Sequence, residues 1–112
     1  MSARYAVDAD IARASTLPAA YYRDATAWDA TRERVFARTW QWLGGLDDVA
    51  AAGSLSPREM LPGHLAEPLL LARDAGGELR CLSNVCTHRG NILVGEACRA
   101  KQIRCGYHSR HA

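Results

Sequence analysis

The chain has 112 residues, 48% of them hydrophobic and 23% charged, with a formal net charge of +2 at pH 7. That length supports one domain or part of one and excludes two independent domains. The composition excludes a disordered or low-complexity chain, and so small a net charge argues against a nucleic-acid partner.

No run is long and apolar enough for a signal peptide or a membrane span, so a cytoplasmic protein without membrane contact is expected. Residues 1–16 show no apolar period and read as an irregular lead-in. Asp24 stands where an N-cap belongs, and Trp28, Val35, Phe36 and Thr39 share one helical face, which predicts a helix from about Ala25 to Arg38. Trp40 and Trp42 alternate around Gln41 like a short strand, which Gly44-Gly45 ends. These aromatics are expected to pack in a core or under a lid. Asp47 and Asp48, ahead of "VAAAG", are expected to cap a short helical turn.

From Gly53 the pattern turns to β. "SLSPREML" predicts a strand whose Pro57 suits an edge or a strand end. "LPGHLAEP" is a loop in which His64 faces solvent. "LLLAR", "DAGGE" and "LRCLSN" predict two strands joined by a tight turn. Cys81 lies on the second of them with Leu79 and Ser83 on its face, as a buried structural thiol would. Cys98 has no His at a matching spacing, and neither Cys81 nor Cys98 is read as a ligand.

Four cysteines in a chain without a secretory signal point to metal binding rather than a disulfide framework. Two of them have histidine neighbours: Cys86-Thr87-His88 and Cys105-Gly106-Tyr107-His108. The order Cys, His, Cys, His departs from the Cys, Cys, His, His of a zinc finger. It suits a cluster of two unlike irons, in which each loop presents its Cys to one iron and its His to the other, the [2Fe–2S] arrangement called Rieske. Gly90 and Gly106 let such loops approach a cluster closely. Around these loops, residues 84–112 carry Arg89, Arg99, Lys101, Arg104 and Arg110 against Glu96 alone. Such an edge is either simply solvated or an electrostatic landing site.

"CTHRG" followed by "CGYH" resembles the Rieske domain of the Rieske-type non-haem iron oxygenases, the aromatic ring-hydroxylating oxygenase α-subunits and related monooxygenases. "LPAAYYRD", "RVFARTWQWLGG" and "ELRCLSNVCTHRG" resemble the lead-in to that domain, so the likeness covers roughly residues 17–108. The resemblance implies a mainly β fold, an antiparallel Rieske-like domain with an N-terminal helix whose closing C-terminal strands are missing. It divides the chain into a lead-in and helix at 1–38 and an incomplete Rieske domain at 39–112. Cys86 and Cys105 would ligate one iron, His88 and His108 the other. Where the respiratory type carries two further cysteines in a disulfide, this chain has Asn91 and Tyr107.

By the same resemblance the segment transfers electrons, received from a reductase or ferredoxin, to a mononuclear Fe(II) held by two His and a carboxylate in a following domain. That domain, and with it the substrate site and every catalytic residue, lies outside this sequence, and the full-length form is expected to be a homo-oligomer. Two other readings stand beside this one. A free-standing Rieske ferredoxin fits the long aromatic lead-in poorly, and the ligand order disfavours a zinc module.

Overall fold

The computed structural model describes residues 5–107, in two compact units, Met1–Trp40 and Gln41–Ala112. The first unit is built on one helix, α1 (Ala25–Arg34), preceded by a 3₁₀ turn at Tyr21–Arg23 and followed by another at Phe36–Arg38. Asp24 is the N-cap. One carboxylate oxygen accepts the backbone N–H groups of Thr26 (3.0 Å) and Ala27 (3.4 Å) and the Thr26 hydroxyl, while the other accepts the Tyr5 hydroxyl at 2.8 Å. These hydroxyls, Thr26 first and Tyr5 second, hold the Asp24 carboxyl down at about 2. The helix stops earlier than its periodicity predicts. Val35 is the C-cap at φ −112° and ψ −69°, the chain tightens into the 3₁₀ turn, and the Phe36 ring meets that of Trp28 at 5.8 Å. Thr39 then donates its hydroxyl to the Val35 carbonyl. Tyr21 packs edge-on against Tyr5 at 5.2 Å and shares a hydrogen bond with the Thr31 hydroxyl. None of residues 5–40 is buried, so capping and ring contacts organise this unit instead of a core.

The second unit is an antiparallel sheet of β1 (Ser54–Met60), β2 (Glu67–Arg73), β3 (Leu79–Ser83) and the short β4 (Cys98–Arg99), in the order β3-β2-β1-β4. The hairpin expected around "DAGGE" forms. The Asp74 carboxylate accepts the Glu78 N–H at 2.9 Å, and Gly77 takes the positive φ of 85° that the turn requires. β4 pairs only with Ser54 and Leu55, so β1 is an edge from Ser56 onward and tolerates Pro57. Leu55, Leu70 and Ala72 bury one face of the sheet with Val94, and Leu93 and Ile103 pack against them. Ser56 and Leu71, opposite each other in the register, are buried on the other face together with Val49 from the 3₁₀ turn Asp47–Val49.

Several sequence expectations are corrected here. Neither Asp47 nor Asp48 caps that turn. Asp48 instead pairs with Arg58 at 2.8 Å and accepts the Ser56 hydroxyl, and Arg58 also donates to the Gly45 carbonyl. A salt bridge reaching ten residues along the chain outcompetes the local cap because it ties the turn to β1. Trp40 and Trp42 are in no strand and are 100% and 86% exposed, so they are neither core nor lid among the described residues. Cys81 is exposed, because no described element covers β3 and its alternation therefore has no buried side. No helix of the described residues is long and apolar enough to cross a membrane.

The Arg58 guanidinium, and after it the Ser56 hydroxyl, lowers Asp48 from the usual 3.8 to about 2. A carboxyl depressed in the fold stabilises fully above its unfolded pKa, and that contribution is lost as pH falls through the folded value. Asp48→Asn should therefore lower the thermal midpoint at pH 7 and flatten the loss of stability between about pH 4 and pH 2. Circular-dichroism melts across that range check this, with Asp47→Asn leaving both unchanged.

Candidate metal centre

The first ligand loop leaves the sheet at the end of β3, where Asn84 is only 2% exposed. Its backbone N–H donates to the Pro68 carbonyl at 2.9 Å. Its side chain reads both polar groups of Val94 across the loop: Oδ1 accepts the Val94 N–H at 2.9 Å and Nδ2 donates to the Val94 carbonyl at 2.8 Å. One amide thus closes the neck of residues 85–93, with the Leu93 N–H donating to the Asn84 carbonyl and a bridge between Val85 and Ile92.

Inside that neck the chain turns sharply. The Cys86 N–H donates to the Asn91 carbonyl at 2.8 Å, and the Gly90 N–H returns to the Cys86 carbonyl at 2.9 Å. Gly90 has a φ of 70°, in the left-handed region where a side chain would be strained. The consequence is a separation of the predicted ligands: Cys86 is 5% exposed and faces inward, while His88 lies at the exposed tip with Thr87 and Arg89. Exposure leaves Arg89 screened by solvent, so its charge acts weakly on anything bound within.

The chain returns along the sheet before the second loop. β4 pairs with β1, the Ala100 N–H donates to the Gly53 carbonyl, and Arg99 donates to the Ala52 carbonyl at 3.0 Å. Ile103 then anchors against the core, and Cys105 follows, 2% exposed. The two loops meet: Nδ2 of Asn91 lies 3.8 Å from Sγ of Cys105 and also donates to the Ile92 carbonyl at 3.1 Å.

Of the four predicted ligands, the fold thus brings together the loops of Cys86 and Cys105 and places His88 on the outer turn of the first. His108 lies outside the described residues. Among the described residues no group of three or more His, Cys, Asp or Glu side chains is close enough to hold a metal. Cys81 and Cys98 are exposed and sit in β3 and β4, not in the loops. Asn84 and Asn91 were not expected to matter. The signal for them was their position, one on either side of "VCTHRG", where a loop needs groups that can pair with backbone.

The donor set fits a [2Fe–2S] cluster. None of the four cysteines is in a disulfide, and the two with histidine partners are the two that are buried, on loops in mutual contact. Two buried free thiols, one of them 3.8 Å from an amide donor, suit thiolate ligation.

Comparison with known proteins agrees. The model of the Rieske [2Fe–2S] domain matches residues 39–111. The chain is 35% identical over 95 residues to the carnitine monooxygenase oxygenase subunit of Escherichia coli (strain K12), a match covering 84% of this chain and 24% of that protein. It is 32% identical over 108 residues to the biphenyl 2,3-dioxygenase subunit alpha of Rhodococcus jostii (strain RHA1), covering 90% and 22%. The solved structure of the quaternary ammonium Rieske monooxygenase CntA with L-carnitine is similar with a TM-score of 0.74 at 27% identity, covering 88% of this chain and 27% of that one. The chain thus spans about a quarter of the length of these relatives. Its mainly antiparallel fold with one short helix matches theirs.

Asn84→Ala leaves the buried N–H and carbonyl of Val94 without partners and should cost about 2–3 kcal/mol, the usual penalty for stranded buried groups. Urea unfolding measures it. A loss under about 0.5 kcal/mol would mean that the neck closes without the amide.

Proposed function

This chain belongs to the Rieske [2Fe–2S] domain family, and on that premise we propose that Cys86 and Cys105 hold one iron of its cluster, His88 and His108 the other, and that the segment relays electrons within an oxygenase. When bound, the cluster supplies a one-electron carrier. Residues 39–112 are the Rieske domain in this reading, and residues 1–38 a lead-in with its helix.

The observation that carries the reading is that the two buried cysteines stand on loops linked by Asn91, with His88 on the outer turn of one of them. Each part has its work. Cys86 and Cys105 would provide thiolates inside the fold, the Cys105 sulfur facing the Asn91 amide donor. His88 provides an imidazole at the surface, where an electron can arrive or leave over a short distance. Two thiolates and two neutral imidazoles balance two ferric ions and two sulfides, so taking up an electron leaves a single negative charge. An all-thiolate centre starts anionic and resists reduction more strongly.

The electron donor in this proposal is a reductase or ferredoxin, and the acceptor is a mononuclear iron in a catalytic domain that activates O₂ to hydroxylate a small organic substrate. The complete protein would be a cytoplasmic homo-oligomer. A free-standing Rieske-type ferredoxin is the other reading. The likeness to the carnitine monooxygenase subunit runs over 95 residues, more than the 39–111 segment holds, and so takes in part of the lead-in. That favours the oxygenase.

The test is anaerobic reconstitution of the full chain with iron and sulfide, followed by EPR of the dithionite-reduced protein. A Rieske-type signal with about two irons per chain is expected. Cys86→Ser, His88→Ala, Cys105→Ser and His108→Ala should each abolish it, while Cys81→Ser and Cys98→Ser keep it. Iron retained by His88→Ala and lost by Cys98→Ser would overturn the ligand assignment.

A further inference from the structure

We infer that Asn91 sets the reduction potential of the cluster, by donating a side-chain N–H···S hydrogen bond to the ligand thiolate of Cys105. The inference rests on the cluster reading above. Asn91 touches both ligand loops: its carbonyl accepts the Cys86 N–H at 2.8 Å, and its Nδ2 lies 3.8 Å from Sγ of Cys105.

The orientation of the amide is determined by its second contact. An Asn amide has two N–H donors and one carbonyl acceptor, and only the donor end is useful to a thiolate. Nδ2 also donates to the Ile92 carbonyl at 3.1 Å. A flipped amide would set its oxygen against both that carbonyl and the sulfur, two repulsive contacts in place of two hydrogen bonds. The Ile92 carbonyl thus aims the remaining N–H at Cys105.

The energetic consequence has a definite sign. One-electron reduction turns one ferric iron ferrous and adds one negative charge, which the ligand sulfurs share. A donor on sulfur stabilises the more negative state and raises the potential. Cys105 is buried, so the hydrogen bond acts on a sulfur that solvent reaches little and is less screened there than at the surface.

The experiment is an EPR-monitored redox titration of the reconstituted full chain with dithionite as reductant, for wild type, Asn91→Leu and Asn91→Asp. Removing the donor in Asn91→Leu should lower the equilibrium constant for reduction about tenfold, which is about 59 mV for one electron. Asn91→Asp, which adds a negative charge, should lower it further. In the wild type, exchange into D₂O should shift the Fe–S(Cys) stretch in resonance Raman spectra, and Asn91→Leu should lose that shift. If the variants hold less cluster but the loaded fraction keeps the wild-type potential, Asn91 only braces the loops and the inference fails. If the variants take up no cluster, the D₂O shift in the wild type decides: present, it supports the hydrogen bond, and absent, it overturns it. A wild-type chain with no Rieske signal removes the cluster reading itself, whereas a normal signal with unchanged potentials removes this inference alone.

Discussion

The candidate centre depends on one buried amide. Asn84 reads both the N–H and the carbonyl of Val94, and by doing so makes the ends of a nine-residue loop behave as paired strands. A loop of this kind would otherwise leave backbone groups buried without partners, at a cost of about 1–3 kcal/mol for each. Because the same amide's backbone donates to the Pro68 carbonyl, the loop is registered directly on β2. Any slip of β2 would move Cys86.

The second loop is held by a different device. Its position follows from the pairing of β4 with the first two residues of β1 and from Ile103 against the core of Leu55, Leu70, Ala72 and Val94. Val94 belongs both to that core and to the Asn84 clamp, so apolar packing and hydrogen bonding converge on the neck of the first ligand loop. On the opposite face, Arg58 with Asp48 and Arg73 with the Val49 carbonyl fasten the 3₁₀ turn over Ser56 and Leu71. The buried apolar set is small for a sheet of four strands, and metal binding adds to folding in such a domain because the site does not exist in the unfolded chain. The loops and the sheet therefore stabilise each other only when both are formed.

What sequence reasoning read well was local. Asp24 caps because its side chain reaches N–H groups two and three residues ahead, and the turn around Gly77 forms because Asp74 and a residue with positive φ stand at the right offsets. What it misread was non-local. Asp48 had the look of a cap and serves as an ion-pair partner to Arg58. Cys81 had the alternation of a half-buried strand, but alternation buries a side chain only where another layer lies against it, and none of the described elements covers β3. Trp40 and Trp42 had the look of core residues, yet their ring area is exposed. The helix stops at Arg34 with Val35 as its C-cap, and the tilted contact of Phe36 with Trp28 lies beyond it although the apolar periodicity continues.

The two Cys/His pairs and their order are covalent facts of the chain, and a ligand type every two or three residues within a tight loop carries its chemistry wherever the loop is placed. That is why family and cofactor were legible from residues 84–108 alone. Tertiary structure decided the rest: that the two cysteines are inside while His88 is out, that Asn84 closes one loop, and that Asn91 reaches the sulfur of the other. Each of these joins residues at least eight apart or depends on which face a neighbouring strand covers. Burial and long-range hydrogen bonds are properties of the packed sheet, and no stretch of sequence holds them by itself.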